Sequence, residues 1–136
     1  MRHNRFCVMA AIAIAFCDLA AARALGEAMK PVNQRYKLAD GEETPDFRRH
    51  VVPLMGRLGC NGRACHGSFQ GRGDFRLSLF GYDFKNDHKA LLHKQDEMRV
   101  DVESPLDSLI IAKPTDDFNH EGGVRYKTGS WQYHVI

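Results

Sequence analysis

One heptapeptide dominates the chemistry of this chain: Cys60-Asn61-Gly62-Arg63-Ala64-Cys65-His66. Its order of thiol, thiol and imidazole is that of the haem c signature Cys-x-x-Cys-His, in which both thiols bond the vinyl groups and the histidine binds the iron. Two further residues widen the loop here. The histidine directly after Cys65 keeps the usual spacing between the second thiol and the iron ligand. Gly62 gives the longer loop access to unusual backbone angles. The segment therefore predicts one covalently attached haem c with His66 as an iron ligand.

Two other interpretations of the cysteine pair stay open. A disulfide between Cys60 and Cys65 would be ordinary in an exported protein, but it closes a short loop, stabilises little and gives His66 no role. This alternative makes the chain a non-haem, disulfide-stapled interaction domain. A zinc site would join both cysteines to a distant histidine, although structural zinc usually takes its ligands from two separated pairs.

Residues 1–24 have the organisation of a secretory signal peptide. Arg2 and Arg5 precede an uncharged apolar stretch over residues 6–16, and Ala22-Arg23-Ala24 has the small-x-small pattern of a cleavage site. The stretch is shorter than the about 20 apolar residues that a bilayer span needs. We expect cleavage after residue 24, and no membrane span in the mature chain.

The distribution of cysteines agrees with export. Cleavage removes Cys7 and Cys17 and leaves only Cys60 and Cys65. A lipid anchor on Cys17 is disfavoured because the bulky Phe16 stands where lipoprotein sites take a small residue. The mature chain is therefore expected in the periplasm or another extracytoplasmic compartment, where the haem c maturation machinery of bacteria works.

Length and charge bound the remaining possibilities. The chain has 136 residues and a net charge of +2, and its length corresponds to one domain. Without residues 1–24, acidic and basic residues are equal in number. This balance gives no sign of nucleic acid or of an anionic membrane surface as a partner.

The pattern of apolar residues predicts a mainly α-helical domain over residues 44–136, after a polar, extended leader at 25–43. A first helix should be capped by Thr44, restart at Pro53, which lacks an N–H group, and end at Gly59. Residues 75–80 alternate as in a short strand or extended segment.

Three further helices are expected. One is capped by Asn86 or Asp87, the next opens at Ser104-Pro105 and closes at Pro114, and the last is capped by Ser130. The apolar pattern of the last helix still runs at residue 136. We therefore expect the domain to be truncated in this helix and the chain to be the front of a longer polypeptide.

Several motifs together resemble the cytochrome c-like domain at the front of large exported planctomycete proteins. They are Leu58-Gly59-Cys60-Asn61-Gly62-Arg63-Ala64-Cys65-His66-Gly67, Gly73-Asp74-Phe75-Arg76-Leu77-Ser78-Leu79-Phe80-Gly81-Tyr82-Asp83, Glu103-Ser104-Pro105 with Ser108-Leu109-Ile110, His120-Glu121-Gly122-Gly123, and Gly129-Ser130. The resemblance covers residues 45–136.

This resemblance implies a small cytochrome c-like helical fold around one haem, and one-electron transfer as its function. The partner would be an electron donor or acceptor protein, or a downstream catalytic module. Members of the family continue into two large modules linked to the breakdown of polysaccharides or sulfated sugars, and this chain stops before them. No arrangement of nucleophile, base and orienting residue stands out, so we do not expect the chain itself to be an enzyme.

The second axial ligand of the iron is expected to be His120. In small cytochromes a downstream methionine fills this place, and His120 occupies the corresponding loop, beside Gly122 and Gly123. Met98 is the alternative, but its neighbours are charged. The other histidines are interpreted as surface residues: His50, His88, His93 and His134.

Further residues are expected around the haem. Three arginines could pair with its propionates: Arg63, Arg72 and Arg125. Eight apolar residues would line its crevice, or form an ordinary core without haem: Phe47, Leu58, Phe69, Phe75, Leu77, Leu79, Leu109 and Trp131.

Overall fold

The computed structural model describes residues 28–41, 43–92, 99–116 and 119–136. Within these ranges the chain is mainly helical, as the sequence predicts for the fold class, and it has no β-strand. Five α-helices occur there in order: α1 (Val32–Arg35), α2 (Val52–Arg57), α3 (Phe84–Leu92), α4 (Leu109–Thr115) and α5 (Trp131–Val135). Residues Pro31–Ile136 form one compact unit. The predicted signal peptide lies outside the described residues.

The chain approaches the two cysteines through a helix wound in two parts. A π-helical turn, Phe47–Val51, precedes α2, and the carboxylate of Asp46 accepts a hydrogen bond of 2.7 Å from the backbone N–H of Arg49. Pro53 lies in the first turn of α2, where helices tolerate proline best, so the predicted restart is confirmed. The predicted cap at Thr44 is wrong, because Asp46 supplies the carboxylate that pairs a free N–H group of the first turn.

The hydrophobic core joins residues that are far apart in sequence. Its buried members are Tyr36, Val51, Val52, Leu54, Met55, Leu77, Leu91 and Val135. Trp131 and Ile136 pack on this cluster, and α1 contacts α5. The first and last elements of the described chain therefore close the same core.

The segment predicted as an extended leader, residues 25–43, takes part in this core from Pro31 onward. It contains α1, and Tyr36 is only 2% exposed. The guanidinium of Arg35 binds the carboxylate of Glu43, with Nε donating to Oε2 at 2.7 Å. The structure thus differs from the prediction, because one large aromatic side chain anchors a segment whose composition is otherwise polar.

The alternating segment at residues 75–80 forms turns. Arg72 and Phe75 exchange backbone hydrogen bonds of 3.0 and 3.1 Å, and Leu79–Gly81 is a 3₁₀ turn. The backbone N–H of Leu77 donates to the carbonyl of His66 at 2.7 Å. The backbone N–H of Phe80 donates to the carbonyl of Asn61 at 3.0 Å. These two bonds tie the segment to residues 60–66 without a strand ladder.

Two later helices begin at different places from those predicted. The carboxylate of Asp83 accepts a hydrogen bond from the backbone N–H of Asn86 at the start of α3, whereas Asn86 and Asp87, the two predicted caps, both lie inside the helix. Ser104 precedes a 3₁₀ turn, Pro105–Asp107, and α4 begins only after it.

The ends of the last two helices also bear on the predictions. Pro114 lies inside the final turn of α4, and not beyond it. The predicted cap at Ser130 is confirmed, since its hydroxyl accepts a hydrogen bond from the backbone N–H of Tyr133. Among the described residues, no helix has the length and apolar character needed to cross a bilayer.

Candidate functional site

A cavity of about 270 Å³ opens beside the segment from Cys60 to His66, which we call the attachment segment. Both cysteines and His66 line it, and so does His120. Its apolar wall is formed by Met55, Phe75, Leu77, Leu91, Leu109 and Ile110. This volume lies just below the about 300–1,000 Å³ that is usual for small-molecule sites. A macrocycle larger than the cavity would keep one edge in solvent.

Backbone hydrogen bonds fold the widened attachment segment into compact turns. The N–H of His66 donates to the carbonyl of Cys60, and the N–H of Cys65 to the carbonyl of Gly62, both at 3.0 Å. Gly62 was predicted to supply an unusual backbone angle, but it is not among the described glycines with positive φ, whereas Gly59, directly before the segment, has a φ of 81°. Gly59 therefore turns the chain from α2 into the attachment segment.

The two cysteines are free thiols and partly buried. Burial raises the pKa of the Cys60 thiol, and the charge of Arg125 opposes this shift. The described residues contain no group of three or more histidine, cysteine, aspartate or glutamate side chains placed to hold a metal ion. The zinc interpretation thus gains no support from the part of the chain that is described.

The His66 ring is held by two backbone carbonyls. Its Nδ1 lies 3.1 Å from the carbonyl oxygens of both Arg72 and Phe75. Since carbonyl oxygens only accept, Nδ1 carries the proton and donates, which leaves the lone pair on Nε2. Burial lowers the pKa of His66. The ring is therefore neutral near pH 7, the form that binds a metal.

His120 is held in the same tautomer. Its Nδ1 lies 2.9 Å from the carbonyl oxygen of Gly123, whose own N–H donates to the His120 carbonyl at 2.7 Å. A hydrogen bond from the outer nitrogen to a carbonyl is the usual way to orient a metal-binding histidine. Gly122 lies against this ring, because a Cβ there would come within 2.8 Å of its Cε1.

The His66 and His120 rings are nearly parallel. Their centroids are 6.4 Å apart and their planes differ by 12°. Two imidazoles that bind one metal from opposite sides have centres about 6 Å apart, from a metal–nitrogen bond of about 2 Å and about 1 Å to the ring centre on each side. The rings are stacked. Their centroid spacing and tautomers are those that two ligands of one haem iron would have, and the porphyrin would supply the other four nitrogens.

The cavity has more cations than anions in its lining. Its basic residues are Arg72, Arg99, Lys113 and Arg125, and its acidic residue is Glu121. An ion pair of 3.8 Å joins the exposed side chains of Arg72 and Glu121. Of the three arginines expected near propionates, Arg72 and Arg125 lie at the cavity, whereas Arg63 lines a separate shallow groove.

The residues predicted for the crevice fall into three groups. Phe75, Leu77 and Leu109 line the cavity. Phe69 is 87% exposed and Leu79 is 42% exposed, so the prediction is wrong for these two. The remaining three pack on the core and are not in the cavity lining: Phe47, Leu58 and Trp131.

The other histidines whose positions are described lie away from the cavity lining. His88 is exposed and meets the edge of Phe47 at a ring distance of 4.9 Å, and the Nδ1 of His50 lies 3.3 Å from the Tyr36 hydroxyl. His134 packs edge-on against Tyr133. His93 and the alternative ligand Met98 lie outside the described residues.

Sequence reasoning missed several residues of the cavity, and two of them make notable contacts. Tyr126 is buried, and its hydroxyl donates to the carbonyl of Ile110 at 2.7 Å. Arg99 places its guanidinium 4.5 Å from the centre of the Phe75 ring. Neither follows a helical or alternating pattern. The sequence signal that could have placed Tyr126 at the cavity is its position shortly after the glycines that follow His120.

Comparison of the chain with protein-family models, with curated proteins and with solved structures finds no match in any of the three.

Proposed function

We propose that this chain is an exported c-type cytochrome domain that carries one covalently attached haem and transfers single electrons. The observation that carries the proposal is the parallel pair of His66 and His120, 6.4 Å apart, on a cavity that Cys60 and Cys65 also line. These four residues lie up to 60 positions apart in the sequence, yet they line the same cavity and could therefore form one site.

Each side chain has a defined part in this function. The two thiols would form thioether bonds by addition to the vinyl groups, and the free Nε2 atoms of His66 and His120 would bind the iron. When bound, the haem supplies a one-electron couple. The apolar wall excludes water, which together with the axial ligands sets the potential.

Two histidine ligands favour electron transfer over binding of small gases. They leave no free position on the iron, so the domain should be low-spin and should not bind oxygen or peroxide readily. Its potential should lie below that of a comparable His/Met site, because methionine ligation raises the potential. The electrons would pass to a redox protein or to a downstream catalytic module, as the resemblance to the planctomycete domain implies, and the chain itself would not convert a substrate.

The first prediction is that the haem survives unfolding. Protein matured in a host with haem c assembly should keep its haem through denaturation and acid extraction, because thioether bonds are covalent. The measurement is the absorption spectrum of the denatured protein in alkaline pyridine, with the intact mass. Cys60→Ser and Cys65→Ser should each leave one thioether or lose the haem.

His88→Ala is the matched control, because this histidine is exposed and lies away from the cavity lining. It should retain haem as the wild type does, while His66→Ala should lose the normal ligand spectrum. Colourless wild-type protein with an intact Cys60–Cys65 disulfide in its mass spectrum would overturn the proposal and favour the interaction domain.

A further inference from the structure

We propose that Arg125 is the positioning residue that holds His120 at ligating distance from the attachment segment. This rests on the proposed haem function and concerns a side chain that sequence alone assigned to a propionate. Arg125 is partly buried at the cavity. Its guanidinium points toward the attachment segment from the opposite end of the sequence.

The guanidinium of Arg125 contacts two parts of the chain, the end of α2 and the attachment segment. Nη1 donates to the carbonyl oxygen of Leu58 at 3.4 Å, and Nη2 lies 3.9 Å from Sγ of Cys65. Nη1 also lies 3.8 Å from where a Cβ of Gly59 would be. Arg125 therefore spans the end of α2 and the second thiol.

The same residue follows the His120 loop in the chain and lies beside it. Its backbone N–H donates to the carbonyl of Pro114 in α4 at 2.7 Å, which fixes its own backbone, and Nη2 lies 3.1 Å from where a Cβ of Gly122 would be. Gly122 in turn lies under the His120 ring. A cationic side chain thus links the loop of one proposed ligand to the segment of the other.

A second link between these regions is weaker. Arg72 and Glu121 approach to 3.8 Å, but their side chains are 62% and 93% exposed, and exposed ion pairs add little. Arg125 is partly buried, and its charged guanidinium reaches two groups at once, the Leu58 carbonyl at 3.4 Å and Sγ of Cys65 at 3.9 Å, away from bulk solvent. We therefore assign the separation of the two imidazoles to Arg125.

The test compares Arg125→Gln with Arg125→Lys in haem-loaded protein, with Arg57→Gln as the matched control. Arg57→Gln removes the same charge at an exposed position of α2 that is not part of the cavity lining. Covalent haem is first measured in alkaline pyridine for every variant. The readouts are the spin state in the visible spectrum, the rate of carbon monoxide binding to reduced protein, and the midpoint potential.

Arg125→Gln should keep its covalent haem, gain a high-spin fraction and bind carbon monoxide several-fold faster, approaching His120→Ala. Its potential should shift as the ligand is released. Arg125→Lys should fall between the glutamine variant and wild type, because it restores the charge but not the forked geometry. Arg57→Gln should stay low-spin.

Low-spin Arg125→Gln with the wild-type carbon monoxide rate would overturn the positioning role and leave the haem function standing. If the glutamine variant does not fold, Arg125→Lys decides alone, and a wild-type spectrum in it counts against the proposal. Wild-type protein without covalent haem would instead overturn the proposed function itself.

Discussion

At the scale of single residues, the site depends on hydrogen bonds that orient two imidazoles. His66 and His120 both use Nδ1 to donate to backbone carbonyls, which directs the lone pair to Nε2. The side chains alone do not impose this, because a histidine in water exchanges between tautomers. The backbone turns around Phe75 and Gly123 select the form that can bind a metal.

Gly122→Ala should disturb the site through one atom. The new Cβ would lie 2.8 Å from Cε1 and 3.2 Å from Nε2 of His120, so the ring must move, at a cost of roughly 1–3 kcal/mol for overpacking. We expect a high-spin fraction in the visible spectrum of haem-loaded protein. Gly56→Ala is the control, since a Cβ there meets its nearest neighbour at an ordinary 3.6 Å. An unchanged spectrum in Gly122→Ala would place His120 off the iron.

At the scale of elements, a buried carboxylate of α3 binds Ser78, the residue directly before the 3₁₀ turn Leu79–Gly81. Asp87 is 2% exposed and accepts hydrogen bonds from the backbone N–H and the hydroxyl of Ser78, at 2.5 and 2.7 Å. The Ser78 hydroxyl also accepts from the backbone N–H of Asp83. This network fixes the start of α3 next to Leu77, which belongs to both core and cavity wall.

Asp87→Ala should lower the free energy of unfolding by about 2–3 kcal/mol, because it leaves the buried N–H of Ser78 without its charged acceptor. Chemical denaturation measures this loss. Asp107→Ala, at an exposed aspartate that ends a 3₁₀ turn, should change the stability little. Equal losses in the two variants would show that the buried network does not hold α3.

At the scale of the whole molecule, the polar segment that begins at Pro31 and contains α1 is part of the compact domain. Tyr36 is buried in the core, and α1 contacts α5. The carboxylate of Glu43, bound by Arg35, closes this segment on itself. The fold therefore includes part of the segment, residues 25–43, that was predicted from its polar composition to be an extended leader.

Stability should depend on pH through Glu43. The hydrogen bond from Arg35 lowers the pKa of Glu43, so its stabilising contribution is present above the unfolded value of about 4.3 and is lost as pH falls through the lower, folded value. Glu43→Gln should have a lower melting temperature than wild type at pH 7, and the difference should shrink as pH falls below the unfolded pKa of about 4.3. Added salt should reduce it. A difference that persists in acid would exclude this ion pair as its cause.

Local patterns are what the sequence by itself determined. The spacing of Cys60, Cys65 and His66, on which the proposed haem attachment rests, requires no tertiary information, since it lies within seven consecutive residues. The mainly helical class, the restart at Pro53 and the cap at Ser130 were also readable, because apolar periodicity, a missing N–H group and a capping hydroxyl act within one or two turns. Cap positions at Thr44 and Asp87 were not, since several nearby oxygens can pair the same N–H groups.

Only the tertiary structure decided how distant residues meet. The pairing of His66 with His120, the burial of Tyr36 and the exposure of Phe69 depend on long-range packing, and polar or apolar character alone does not fix it. The same holds for Arg125, whose direction toward Leu58 and Cys65 follows from where two loops lie. The physical reason is that a periodic pattern records which face of an element is apolar, whereas the partner that covers the face is chosen by the folded chain as a whole.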